Sequence, residues 1–102
     1  MKEYDIFLPL YYNDGAPIEA RKFSDLQEYL LERFEGLTYF PQPNKGYWRI
    51  GRVTYQDEIV IFRVVTGAGK RARRILLRLK QKLKREFQQE EILIITRNVG
   101  IL

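Results

Sequence analysis

The residues best able to do chemistry in this chain are cations, and half of them lie in one segment. Nine of the eighteen Lys and Arg residues fall between positions 70 and 85, and no acidic side chain occurs from 59 to 85. Ammonium and guanidinium groups bind phosphates and carboxylates. The segment therefore predicts an acidic or phosphate-bearing partner. Six cations are the candidate contacts: Lys70, Arg71, Arg74, Arg78, Lys82 and Arg85.

Histidine and cysteine are both absent. The chain therefore has no imidazole base for near-neutral pH, no thiolate nucleophile, and neither of the side chains that most often bind transition metals. The carboxylates at Asp5, Asp57 and Glu58 have no spacing that would pair them for acid–base catalysis. We predict no catalytic residue, no cofactor and no metal site, and the balance leans away from an enzyme.

The net charge of +5 is unevenly distributed along the 102 residues. Residues 1 to 58 contain seven Lys or Arg against ten Asp or Glu, whereas residues 59 to 102 contain eleven against three. The protein is thus expected to be an electrostatic dipole. The N-terminus resembles no signal peptide and no apolar run is long enough to span a bilayer, so we expect a cytoplasmic protein that does not enter membranes.

Hydrophobic periodicity predicts a single domain over residues 1–102 with the order β-α-β-β-α-β. The strands are predicted at about 4–11, 37–40, 58–65 and 91–97, and the helices at about 25–35 and 68–88. Ser24 with Gln27 fits a capping box at the start of the first helix. Pro9 suggests a bulge near the end of the first strand, and Pro41 with Pro43 predicts the end of the second.

Residues 45–57 are rich in glycine and aromatics and predict a projecting loop or a small hairpin. Tyr47, Trp48 and Arg49 are of the kinds used at protein contacts, so they form a candidate contact loop. The alternative is that Trp48 packs back onto the sheet. We favour the packed Trp48, because Gly46 and Gly51 bracket it as turn residues would.

The third and fourth strands are apolar at nearly every position, where a sheet with one wet face should alternate. The second face of the sheet is therefore expected to be covered. The candidate covers are a second copy of the chain, the tail at residues 99–102 or a partner protein. A monomer with an open apolar face is the alternative.

The second helix has one apolar arc without cations, formed by Ala72, Ile75, Leu76, Leu79, Leu83 and Phe87. Its basic residues fill the rest of the circumference. Three interpretations remain open: a solvated outer face, a surface that follows phosphates, and neutralisation by the acidic arc of the first helix, within the chain or on a neighbour.

Three motifs together resemble small bacterial conserved proteins of unknown function and of about this length. They are Gly46-x-Trp48-x-x-Gly51-x-x-x-Tyr55-x-Asp57, Asn13-Asp14-Gly15, and Phe87-x-x-Glu90-Glu91-Ile92. The resemblance implies an α+β, ferredoxin-like βαββαβ fold, a four-stranded antiparallel sheet with two helices on one face, and it implies no biochemical role. The strongly basic second helix departs from the group.

The leading hypothesis is a non-enzymatic interaction module, a homodimer joined through the sheet that presents the basic helix to an acidic partner. The alternative is a protein that binds the phosphate backbone of nucleic acid through the six cations. A second alternative is a small ferredoxin-like enzyme or ligand-binding protein. Its ligand would lie between the helices and the sheet, near Tyr4, Asp5, Tyr39 and Arg63.

Overall fold

The computed structural model describes all 102 residues. Six elements follow one another along the chain: β1 (Lys2–Pro9), α1 (Ala20–Arg33), β2 (Leu37–Ile50), β3 (Val53–Thr66), α2 (Lys70–Glu86) and β4 (Ile94–Asn98). The strands form one sheet in the order β2-β3-β1-β4, and every neighbouring pair is antiparallel. The predicted α+β fold of βαββαβ type is confirmed. Neither helix has the length and apolar character needed to cross a bilayer.

Both helices pack on one face of the sheet, because alternate strand residues supply an apolar layer there. On β1 this layer contains Ile6 and Leu8, and on β3 it contains Phe62, which lies opposite Ile6. All three side chains are fully buried. The ring of Tyr39 on β2 stacks on Phe62 with 4.2 Å between the ring centroids.

The predicted apolar arc of α2 faces this core. Five of its six residues are buried and Ile75 is partly buried. From α1, Phe23 meets Phe87 edge to face with 5.4 Å between ring centroids. The outer side of α2 therefore carries the basic residues towards solvent.

The start of α1 differs from the prediction. The helix begins at Ala20, and Ser24 lies inside it, where its hydroxyl donates to the carbonyl of Ala20 at 3.0 Å. Ser24 and Gln27 thus form no capping box. Ile18 and Phe23 are both buried. Burial of apolar side chains, which provides most helical stability in proteins, sets this boundary in place of a cap.

The largest difference concerns β2, which was predicted to end at Phe40 and continues to Ile50. The pairing with β3 shifts register between Phe40 and Asn44. The segment between these two residues contains Pro41 and Pro43. Because β2 is an edge strand, a proline without an N–H group is tolerated there, and a bulge absorbs the irregularity. The segment predicted as a loop or small hairpin is therefore the outer half of a long hairpin.

Smaller boundary differences occur at the other strands. β1 runs from Lys2 to Pro9, so Pro9 ends the strand and makes no bulge within it. β3 begins at Val53, and β4 begins only at Ile94. The two long strands are joined at Gly51, whose φ of 62° lies in the region that glycine adopts without strain.

Candidate interaction surfaces

The open face of the sheet, the side away from the helices, is rich in apolar residues. Its large apolar side chains come from the strands and the residue before β4, and none is fully buried: Phe7, Phe40, Ile59, Ile61, Leu93 and Ile95. The tail does not cover them. The Val99 N–H donates to the Met1 carbonyl, after which Ile101 and Leu102 are exposed.

A cluster of two acids and two arginines lies within the open face. Arg63 on β3 makes a bidentate contact with Asp5 on β1, from Nε to Oδ1 at 2.8 Å and from Nη2 to Oδ2 at 3.0 Å. Arg97 on β4 lies 2.8 Å from Glu3 Oε2 and 3.4 Å from Asp5 Oδ2. The four charges cancel within the cluster.

Burial of this ionic cluster is uneven. The Asp5 side chain is 4% exposed, whereas the arginine side chains remain partly in solvent. The hydrogen bonds that Arg63 donates to Asp5 raise the pKa of its guanidinium above the ordinary value. Arg63 also lies over the ring of Phe40, 5.1 Å from its centroid. The cluster therefore links β1, β3 and β4 through ion pairs, and apolar side chains of the open face surround it.

Residues 44–58 form a distal hairpin that extends beyond the body of the sheet, because β1 ends opposite Ile59. Alternation places four large apolar residues on the same side as the open face, and all four are exposed: Trp48, Ile50, Val53 and Tyr55. Trp48 lies opposite Tyr55 on the neighbouring strand, and its indole N–H donates to Asp57 Oδ2 at 2.7 Å. The apolar surface of the open face thus continues onto the distal hairpin.

The favoured prediction that Trp48 packs onto the sheet is wrong. The residue is 45% exposed and lies outside the core. The physical reason is that no strand or helix lies beneath the hairpin past the end of β1. Tyr47 and Arg49 are exposed too, but they point to the opposite side of the hairpin from Trp48. The three residues of the predicted contact loop therefore do not share one surface.

A cleft of about 390 Å³ separates the distal hairpin from the body of the sheet. Trp48, Ile50 and Ile59 line one side, and Phe7 with Leu93 lines another. A more polar hollow of about 570 Å³ lies between the loop that contains Tyr11 to Gly15 and the β3 segment at 55–58. Both are open to solvent rather than enclosed in the fold.

The structure has no ligand-sized cavity between the helices and the sheet, where the sequence suggested one. The spaces that border α2 beside β4 and beside α1 measure only about 100 and 60 Å³, too small for a typical ligand. Tyr4 and Tyr39 belong to the helix-covered face, whereas Asp5 and Arg63 lie on the open face. The sheet separates the two pairs, so they do not make one site.

The outer side of α2, called here the basic face, carries cations that lack an acidic partner within 4.0 Å. They are Lys70, Arg71, Arg73, Arg74, Arg78, Lys84 and Arg85. Five of the six predicted contact cations belong to this set. Lys82 does not, because it pairs with Glu86 at 3.8 Å and lies over the Tyr29 ring.

No ion pair joins the acidic side of α1 to the basic face within the chain. Asp25, Glu28 and Glu32 are exposed, and Glu32 pairs only with Arg33 of its own helix. On the other flank of α2, Lys80 pairs with Glu91 at 3.0 Å. The hydrogen bond from Lys80 lowers the pKa of Glu91 below its ordinary value. The acids of α1 therefore do not pair with the basic face within the chain, which excludes that interpretation of the basic residues.

Sequence reasoning missed the ionic cluster as a unit, although two signals for it were present. Glu3 and Asp5 are two residues apart on one strand, which places them on the same face. Arg63 is the single cation in the apolar run from Ile59 to Val65. Only the register of the strands brings these residues and Arg97 together.

Comparison with known proteins supports the fold alone. No protein-family model and no curated protein matches this chain. Solved structures do match, among them a point mutant of CutA1 from Pyrococcus horikoshii OT3, with a TM-score of 0.63 and 12% sequence identity. The alignment covers 100% of this chain and 86% of that chain. At this identity the likeness carries no activity across, because one fold hosts many functions. The resemblance to small bacterial conserved proteins stays a prediction.

Proposed function

We propose that this protein is a non-enzymatic assembly module in which two copies associate through their open faces and distal hairpins. The observation that carries the proposal is the continuous apolar surface from Phe7 and Leu93 to Trp48 and Tyr55. Monomers rarely leave large contiguous apolar patches exposed to water. Association would remove these side chains from solvent, which is the main favourable term in protein–protein binding.

The ionic cluster is compatible with burial in such an interface. A buried charge is costly when it lacks a partner. Here Asp5 already accepts two hydrogen bonds from Arg63, and Arg97 faces Glu3. A covering surface therefore needs to supply no charge of its own, but a hydrogen-bond donor facing Glu3 Oε2, which makes no hydrogen bond within the chain, would add to the fit.

A second copy is the partner that best fits this shape. Each molecule carries both a ridge, the exposed ring of Trp48 on the distal hairpin, and a cleft of about 390 Å³ of which Trp48 forms part of one wall and which apolar and polar residues line in equal number. Two copies related by a twofold axis would each place the ridge in the partner's cleft. Such isologous contacts are the most common in soluble oligomers. The basic faces would then lie outside the dimer, available to an acidic partner.

The test is the molar mass of the protein by sedimentation velocity over a wide range of concentration. We expect a monomer–dimer equilibrium, and we expect Trp48→Ala to raise the dissociation constant at least about tenfold, as loss of an aromatic anchor does. Tyr47→Ala is the matched control, because Tyr47 lies on the other side of the same hairpin and should leave the equilibrium unchanged.

Two results would contradict this assembly. One is a wild-type protein that stays monomeric up to about 100 μM, which means association weaker than about −5.5 kcal/mol. The other is an equal effect of the two substitutions. Circular dichroism of both variants shows whether each is folded, since Tyr47 and Trp48 are both exposed and neither belongs to the core.

A further inference from the structure

Four unpaired cations of α2 form a stripe that runs obliquely along the helix. Lys70, Arg74 and Arg78 recur at every fourth residue, and Arg85 continues the stripe two turns later. They lie on the side opposite the buried Leu76 and Leu83. With a rise of 1.5 Å per residue, the stripe from residue 70 to residue 85 is roughly 22 Å long.

We propose that this basic face binds the phosphate backbone of double-stranded nucleic acid without reading its base sequence. Each strand of a duplex presents one phosphate per roughly 3.4 Å of axis, so a stripe of this length meets several phosphates. No neighbouring acid competes for Lys70, Arg74, Arg78 or Arg85, because none lies within 4.0 Å. The face is therefore free to exchange counterions for phosphates, which is the source of sequence-independent affinity.

The side chains around the stripe favour a duplex over other acidic partners. Protein interfaces depend on aromatic and apolar anchors, and single strands depend on aromatic rings that stack with bases. The outer side of α2 has no aromatic residue, and Leu77 is its one exposed large apolar residue. A membrane surface would require the apolar side of the helix, which is buried against the sheet.

The charges on the two flanks of α2 indicate which side of the helix the duplex would cover. On one flank, Asp25 and Tyr29 of α1 border Lys82 and Glu86, so acidic groups lie beside the stripe. On the other flank, Arg73 and Lys80 border Ile94 of β4. Like charges repel phosphates from the α1 side. On the β4 flank, Glu91 is already paired with Lys80, whereas Asp25 on the α1 flank belongs to no ion pair. We therefore expect the duplex to cover α2 and the β4 flank, and we expect Asp25 to weaken its binding.

The experiment is fluorescence anisotropy with a labelled duplex of 20 base pairs, in two unrelated sequences, from 50 to 200 mM KCl. We expect equal affinity for both sequences and a steep loss of affinity with salt, with a slope of about −0.9 for each phosphate neutralised. Arg74→Glu with Arg78→Glu should weaken binding at least a hundredfold. It should also reduce the salt slope by about two, because each missing cation leaves about one phosphate unneutralised.

A charge-matched control separates this site from the net charge of the protein. Arg21→Glu with Lys45→Glu removes the same charge at exposed positions away from α2 and should weaken binding only a few-fold. Asp25→Asn on α1 should strengthen binding two- to threefold, because Asp25 borders Lys82 of α2. Equal losses in the two double variants, or binding unaffected by salt, would overturn the proposal.

Two further probes distinguish the duplex from other polyanions. Tighter binding to poly-L-glutamate or to phosphatidylserine vesicles than to the duplex, at the same salt, would overturn the proposal in favour of an acidic protein or a membrane. The proposal goes beyond self-assembly and does not depend on it. Trp48→Ala should still bind the short duplex, and the double variant of α2 should still form the dimer, so either idea can fail alone.

Discussion

The two faces of the sheet are built from the same strands, yet they have different roles. On the covered face, Ile6 and Phe62 lie opposite each other and are fully buried beneath the helices. One residue further along, Phe7 and Ile61 also lie opposite each other, but on the open face and only partly buried. Apolar character alone therefore does not identify the core of this fold. What decides the contribution of a side chain to stability is whether a second layer covers it.

Polar groups differ between the faces in the same way. The layer beneath the helices is apolar, whereas the open face contains the cluster of Asp5, Glu3, Arg63 and Arg97. Asp5 is nevertheless almost fully buried without a helix above it, because the arginines that bind it also shield it from water. The covered face is stabilised by apolar packing, and the open face by paired charges within an apolar surface.

The strongest test of this contrast is Phe62→Ala. We expect it to lower the free energy of unfolding by about 4 kcal/mol, because a large cavity would remain between the sheet and both helices. Ile61→Ala on the open face should cost less than about half of that. Urea denaturation at a concentration where each variant is a single species measures both. Equal losses would mean that the open face also belongs to the core.

A second test addresses the charges of the open face. Asp5→Leu should cost about 2–3 kcal/mol of stability, because it leaves Arg63 without its bidentate partner. Adding Arg63→Met should restore part of that loss, because it removes the charge that lacks Asp5, although Glu3 then keeps only its contact with Arg97. A double-mutant cycle measured by thermal unfolding gives the coupling. If the losses simply add, the ion pair contributes nothing to holding β1 against β3.

The smallest expected effect concerns Glu91, which links the segment before β4 to Lys80 on α2. The pKa of Glu91 is lowered in the folded state from an ordinary value of 4.5, first by the hydrogen bond from Lys80. A lowered pKa means that this carboxylate stabilises the fold at higher pH, and that the contribution disappears as pH falls through the folded pKa. Glu91→Gln should therefore be less stable than wild type near neutral pH.

The difference between wild type and Glu91→Gln should vanish under strongly acidic conditions. Glu90→Gln is the matched control, because Glu90 is the neighbouring residue, is exposed and belongs to no ion pair. Thermal unfolding measured from neutral pH down through the acid range provides the comparison. A Glu91→Gln difference that stays constant with pH would show that the ion pair to α2 is not its cause.

Some parts of the fold could be predicted because their signals are local. The apolar arc of α2 recurs with the helical period, and Leu76, Leu79 and Leu83 are buried as the pattern indicates. The long hairpin could not be predicted in the same way. Pro41 and Pro43 indicate the end of a strand unless the strand is known to lie at the edge of a sheet, and strand order is not a local property.

The candidate surfaces also differ in whether local sequence signals could predict them. The basic residues of α2 were found from the sequence, because a helix whose apolar arc is buried must direct its remaining residues outward. Trp48 was misplaced, because its environment depends on where β1 ends. The separation of Tyr47 and Arg49 from Trp48 likewise follows from strand pairing, which orients successive residues to opposite sides.

The amino-acid sequence by itself determined the order of the elements, the side of α2 that is buried and the concentration of cations on the other side. These properties depend on residues a few positions apart, whose relative directions are set by helix and strand geometry. Tertiary structure alone decided that Glu3, Asp5, Arg63 and Arg97 meet, that no acid of α1 pairs with the basic face, and that the distal hairpin extends past the sheet. The reason is physical: these contacts join residues far apart in the chain, so they depend on strand register and on the packing of layers.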